Sequence, residues 1–92
     1  MRLKYDFETM KLDEWIVAVP VGDSASEFQG VVKLGETANV IFELLRKETS
    51  YEQLVEELAN QFDAPKDVLA ADVKKLIDDF TEKGLLENEN DN

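Results

Sequence analysis

The hydrophobic pattern changes period at about residue 35: apolar positions alternate before it and recur at helical spacing after it. From Arg2 to Glu8, Leu3, Tyr5 and Phe7 fall on one side. Arg2, Lys4, Asp6 and Glu8 fall on the other, the pattern of a half-buried strand. Trp15 to Val19 is apolar on both faces, which predicts the central strand. Pro20 ends it, because proline has no N–H to give to a ladder. Val21 to Ser26, with Gly22, Asp23 and two serines, reads as a loop. Phe28 to Leu34 is the third strand, with Phe28, Gly30, Val32 and Leu34 on one face and Gln29, Val31 and Lys33 on the other. Gly30 inside it marks a bulge or a close backbone approach. Short connections between sequential strands predict an antiparallel meander.

Three helices follow, near residues 36–47, 50–62 and 65–83. Ala38, Ile41, Phe42 and Leu45 make the first core stripe. Thr49-x-x-Glu52 and Ser50-x-x-Gln53 both fit a capping box, so the second helix starts at one of them. Its stripe is Tyr51, Leu54, Val55, Leu58, Ala59 and Phe62. Pro65 belongs in the first turn of the third helix, where a missing N–H costs little. There the stripe is Leu69, Val73, Leu76, Ile77 and Phe80, and Lys83 followed by Gly84 is a stop signal. Leu85 and Leu86 then turn back onto the core. The fold class is therefore α+β: a three-stranded antiparallel sheet followed by three helices, in residues 1–87, with residues 88–92 a disordered acidic tail.

Composition narrows the chemistry. A chain of 92 residues supports one modest core. The absence of Cys and His removes disulfides, thiolate metal sites, the commonest zinc ligand and the commonest general base. Ser and Thr are present with no His to activate them. Asp78 and Asp79 are adjacent, so on a helix they diverge by about 100° and form no acid–base pair; Glu56 and Glu57 fail alike. No phosphate loop, dinucleotide fingerprint or EF-hand loop is present. The expectation is a non-enzyme without cofactor or metal. With no apolar run of membrane-spanning length and no signal-peptide pattern, it is also expected to be cytoplasmic and to bind no membrane.

The net charge of −11 has the wrong sign for a duplex binder, whose affinity rests on Lys and Arg against phosphate. Outside its core stripe the third helix offers Lys66, Lys74, Lys75 and Lys83 against five acids. An open edge of the meander is a different opportunity. It presents unpaired N–H and C=O groups to which another chain can add as a strand, unless a helix or loop covers it.

Leu34-Gly35-Glu36-Thr37-Ala38 begins a series of motifs. Phe42-Glu43-Leu44-Leu45, Thr49-Ser50-Tyr51-Glu52-Gln53-Leu54, Ala71-Asp72-Val73 and Lys83-Gly84-Leu85-Leu86 follow it. Their order and spacing resemble the PqqD-like family over about residues 3 to 87. The resemblance implies a winged-helix-like domain that does no chemistry. It would bind the leader segment of a ribosomally made precursor peptide and present it to a modifying enzyme, often a radical S-adenosylmethionine enzyme. The leader would add beside the third strand and pack against the third helix. Carried over, this assigns peptide binding to Phe28, Gln29, Val31 and Lys33 on the strand and to Val68, Ala71, Asp72 and Lys75 on the helix. Val68 reads equally as core periphery, Lys75 as a solvated lysine and Asp72 as a structural partner. Gly35 stands where the family often has Asn, and Pro65 where a polar or acidic residue is common; both bear on helix starts. The alternative is a winged-helix-like domain binding nucleic acid or another protein.

Overall fold

The computed structural model describes residues 1–87. The expected acidic tail, residues 88–92, lies outside them. In chain order the elements are β1 (Arg2–Leu3), β2 (Phe7–Leu12), β3 (Trp15–Pro20), α1 (Ser24–Glu27), β4 (Val32–Leu34), α2 (Glu36–Leu44), α3 (Tyr51–Gln61), α4 (Lys66–Glu82) and β5 (Leu86–Glu87). β2, β3 and β4 form an antiparallel sheet in that order, with β3 central. The expected meander and the three main helices are therefore present.

The first strand differs from its sequence reading. Leu3 belongs to β1, which pairs with β5 through Leu3↔Leu86, whereas Phe7 opens β2. The chain changes partner between them: the Lys4 N–H reaches the Leu85 carbonyl at 2.7 Å and the Leu3 N–H reaches the Leu45 carbonyl at 2.8 Å. Leu3, Tyr5 and Phe7 all still pack on the core, so alternation survives a break in pairing. β2 continues to Leu12, and Asp13 at φ +57° turns the chain into β3 through a two-residue loop.

The third strand is shorter than the pattern predicts. Ser24–Glu27 winds into one helical turn, and Ser24 Oγ is buried there, accepting the Asp6 N–H at 2.9 Å. Gly30 sits at φ +100°, a conformation open to glycine but outside ladder geometry, so pairing begins only at Val32.

Helix ends follow their signals closely. Ser50, not Thr49, is the N-cap of α3. Its hydroxyl accepts the Gln53 N–H at 3.1 Å, and the Gln53 side chain accepts the Ser50 N–H at 3.1 Å. Pro65 is the N-cap of α4, one position earlier than expected. α4 ends in a Schellman motif: Gly84 at φ +76° donates to Thr81, and Leu85 donates to Phe80, each at 3.0 Å. That reversal buries Leu85 and aims Leu86 at β1. The core gathers Phe7, Val32 and Leu34 from the sheet with Ile41, Phe42, Leu54, Leu58, Val73 and Phe80 from the helices. Phe42 is fully buried between the Phe7 ring at 5.3 Å and the Phe80 ring at 6.0 Å.

Candidate functional site

β4 is three residues long and lies at one edge of its sheet. Its alternation decides what the edge can do. Val32 and Leu34 are buried beneath the helices, while Lys33 is exposed on the opposite face. Among the described residues no strand pairs with its outer side. β2 is the other edge of this sheet.

The chain passes from Leu34 through Gly35 directly into α2, so the first turn of α2 sits at the end of β4. Opposite that turn lies α4. Thr37 and Ala38 of α2 and Asp72, Lys75 and Leu76 of α4 together line an open cleft of about 220 Å³. Val68 and Ala71 precede Asp72 and Lys75 at helical spacing on the same side of α4. Val68 is 49% exposed, so it is not part of the packed interior, and Leu69 beside it is. Neither Asp72 nor Lys75 forms an ion pair among the described residues. The remaining α4 charges are largely engaged: Lys74 with Asp78 at 3.1 Å, Lys83 with Asp79 at 2.7 Å, and Lys66 with Glu56 of α3 at 3.2 Å. The adjacent carboxylates thus serve as surface ion-pair partners.

The residues that the sequence assigned to the strand side fall into three environments. Phe28 caps α1, with its ring 5.5 Å from that of Tyr5 and 5.6 Å from that of Phe7; it belongs to an aromatic cluster, not to β4. Gln29 is exposed in the segment before Gly30. Val31 and Lys33 alternate with the buried Val32 and Leu34, so their side chains lie on the outer face of the sheet, away from the α4 cleft. Lys33 Nζ is held 4.4 Å from the centre of the Trp15 ring. The strand group and the helix group are therefore linked through the first turn of α2, which follows β4 in the chain and faces α4 across the cleft. Thr37 and Ala38 were not singled out from the sequence as site residues. Their signal was the absence of any linker between the third strand and the first helix.

A second groove, between α3 and α4, is lined by Tyr51, Val55 and Ala70 with Lys66 and nearby acids. Tyr51 closes part of it by donating its hydroxyl to the Ala70 carbonyl at 2.7 Å. No group of His, Cys, Asp and Glu among the described residues is arranged to hold a metal ion, and none of the described helices is long and apolar enough to cross a membrane.

Comparison with known proteins gives a consistent result. The family model described as coenzyme PQQ synthesis protein D (PqqD) matches residues 14–86. The chain is 35% identical over 74 residues to the PqqA binding protein of Gluconobacter oxydans (strain 621H), which is 80% of this chain and 69% of that protein. Its fold is similar to that of TbiB1 in complex with the TbiA(beta) leader peptide, with TM-score 0.72 and 16% identity over 99% of this chain and 100% of that one. It is also similar to lasso peptide synthetase B1 complexed with the leader peptide, with TM-score 0.69 and 17% identity over 95% and 96% of the two chains. At these identities the two structures speak for the fold.

Proposed function

The chain belongs to the PqqD family, and on that premise we propose that it binds the leader segment of a ribosomally made precursor peptide and presents it to a modifying enzyme. The leader adds as a strand along the free edge of β4, where backbone N–H and C=O groups supply the hydrogen bonds. Its inward side chains meet Val68 and Ala71 of α4, and Asp72 and Lys75 offer opposite charges to polar neighbours. Val31 and Lys33 contribute their backbone and flank the added strand on the outer face. Phe28 and Gln29 lie at the approach to β4. On this reading the protein itself does no chemistry and its partner enzyme does; the family resemblance points to the radical S-adenosylmethionine class for that partner.

The observation that carries this reading is the juxtaposition of an unpaired strand edge at β4 with the cleft between the first turn of α2 and α4. β2 is an edge too, but the cleft at α2 and α4 gives β4 side-chain selectivity beside its backbone. The relative that is called a PqqA binding protein, and the fold neighbours that were solved with leader peptides, support precursor-peptide binding as the function. A charge of −11 favours leaders that carry Lys or Arg near the docking segment.

The test is a titration of the ¹⁵N-labelled protein with a synthetic peptide that copies the leader of its precursor. Amide shifts and slowed hydrogen exchange are expected at residues 31–34, with shifts at Val68 to Lys75. Absence of binding, or changes confined to the α3–α4 groove around Tyr51 and Ala70, would overturn the assignment.

A further inference from the structure

The proposed leader site touches the outer face of the β2–β3–β4 sheet only at its β4 border, through Val31 and Lys33, and leaves the rest of it unused. Alternation puts Ala18, Pro20, Val32 and Leu34 against the helices, and Met10, Leu12, Trp15, Val17, Val19 and Lys33 on the far side. Cross-strand register brings Leu12 opposite Trp15 and Met10 opposite Val17. Six large apolar side chains are exposed among the described residues, and four of them are here: Met10 at 51%, Leu12 at 55%, Trp15 at 39% and Val31 at 60%. An antiparallel sheet with one face on the core is expected to turn polar residues outward; this one does not.

The centre of the face is already ordered. The Lys33 ammonium sits over the Trp15 ring, and the ring passes within 3.8 Å of where a side chain at Gly35 would begin. An aromatic ring held in place before contact loses little freedom on binding and is the residue type on which interface energy concentrates. By alternation the face itself carries Glu8 and Lys33; Asp13, Glu14 and Lys11 border it at the β2–β3 turn, where they line a groove toward α2. A second copy would have to approach against the repulsion of two chains of −11 each. A partner with an apolar centre and a Lys/Arg rim would not meet that repulsion.

We infer that the outer face of the β2–β3–β4 sheet, centred on Trp15 with Met10, Leu12 and Val31, is the docking surface for the modifying enzyme, whose complementary surface is apolar with a basic rim. This rests on the proposed leader site. A leader strand added to β4 would run about 4.8 Å from it, along the border of this face. A protein seated on Trp15 and Leu12 would therefore lie beside the bound leader without occupying its groove.

The test uses Met10→Lys/Leu12→Lys, two half-exposed positions outside the leader site, with the enzyme that modifies the bound precursor as the probe. The variant is expected to keep the wild-type melting temperature to within a few degrees and its leader affinity to within about twofold, while its affinity for the enzyme falls tenfold or more, since two apolar contacts become cations facing a basic rim. Unchanged enzyme affinity in this folded, leader-competent variant overturns the inference. So does a concentration-dependent dimer of the wild type, seen by sedimentation, that the variant abolishes without affecting enzyme affinity; that result assigns the face to a second copy. Wild-type protein that binds leader but no enzyme overturns this inference alone, whereas wild-type protein that binds no leader overturns the leader site on which it rests.

Discussion

Replacing Val68 by Asp separates a leader groove on α4 from a mere helix surface. Val68 is half exposed, so about half of its apolar surface is still available to be covered by a leader side chain. Fully burying a valine contributes about 1.5–3 kcal/mol, so the remaining half is worth roughly 1 kcal/mol. An aspartate at this position loses that gain and sets an unpaired carboxylate in the contact, adding about 1–3 kcal/mol in protein settings. The sum, about 2–4 kcal/mol, corresponds to a leader Kd weakened about 30-fold or more. Folding should hardly change. Position 68 is the third residue of α4, where the helix dipole favours a negative charge by about 0.3–1 kcal/mol, which offsets repulsion from Asp72 one turn later. Val68→Ala is the companion variant: it removes apolar contact without adding charge and should weaken binding only a few-fold. The assay is calorimetric titration of the precursor leader, with a thermal melt for each variant. A folded Val68→Asp protein that binds leader as tightly as wild type would show that the leader does not cover this side of α4.

Two further outcomes concern the scaffold. Phe42→Ala removes the ring that joins Phe7 of the sheet to Phe80 of α4 and should cost about 3–5 kcal/mol of a total near 5–15. The melting temperature should fall by about 12 °C or more, and a shift of only a few degrees would refute the bridging role. Ser50→Ala breaks the capping box of α3 and should cost about 1 kcal/mol, seen as a lower urea midpoint at unchanged slope; an unchanged midpoint would mean that the cap contributes nothing.

The helices were the most legible part of the chain because each carries a core stripe, joined in α3 and α4 by a signal at one end. The stripe of Ile41, Phe42 and Leu45 gave α2 its buried face, the Ser50–Gln53 reciprocity fixed the start of α3, and Gly84 fixed the end of α4. The strands were less legible because alternation reports which side faces the core and not which strand is the partner. Leu3, Tyr5 and Phe7 keep one rhythm while the chain leaves β5 for β3. From Phe28 to Leu34 the rhythm also runs on, but the φ of +100° at Gly30 cuts the ladder and leaves Phe28 capping α1. The β2–β3 turn carries Asp13-Glu14 instead of a glycine dipeptide, so nothing in the composition of residues 9 to 14 announced it.

The candidate site was harder to read than either, and the cause lies in the mode of recognition we propose. Strand addition draws on backbone groups that every residue carries, so the receiving edge leaves no mark in residue type. Only topology distinguishes β4 from β3: among the described residues one has an unpaired side, the other has none. Side chains leave a trace where they break the amphipathic rule, and Val68 does so, as an apolar residue outside the core stripe of α4. Trp15 to Val19 carries the same kind of trace. Apolar on both faces, it was read as a central strand, and it is one by pairing. Centrality accounts for paired edges, however, and not for an apolar outer face; helices cover only the side of Ala18. The surplus apolar character of β3 is the trace on which the proposed docking face rests, and the same reasoning singles out Val68 on α4.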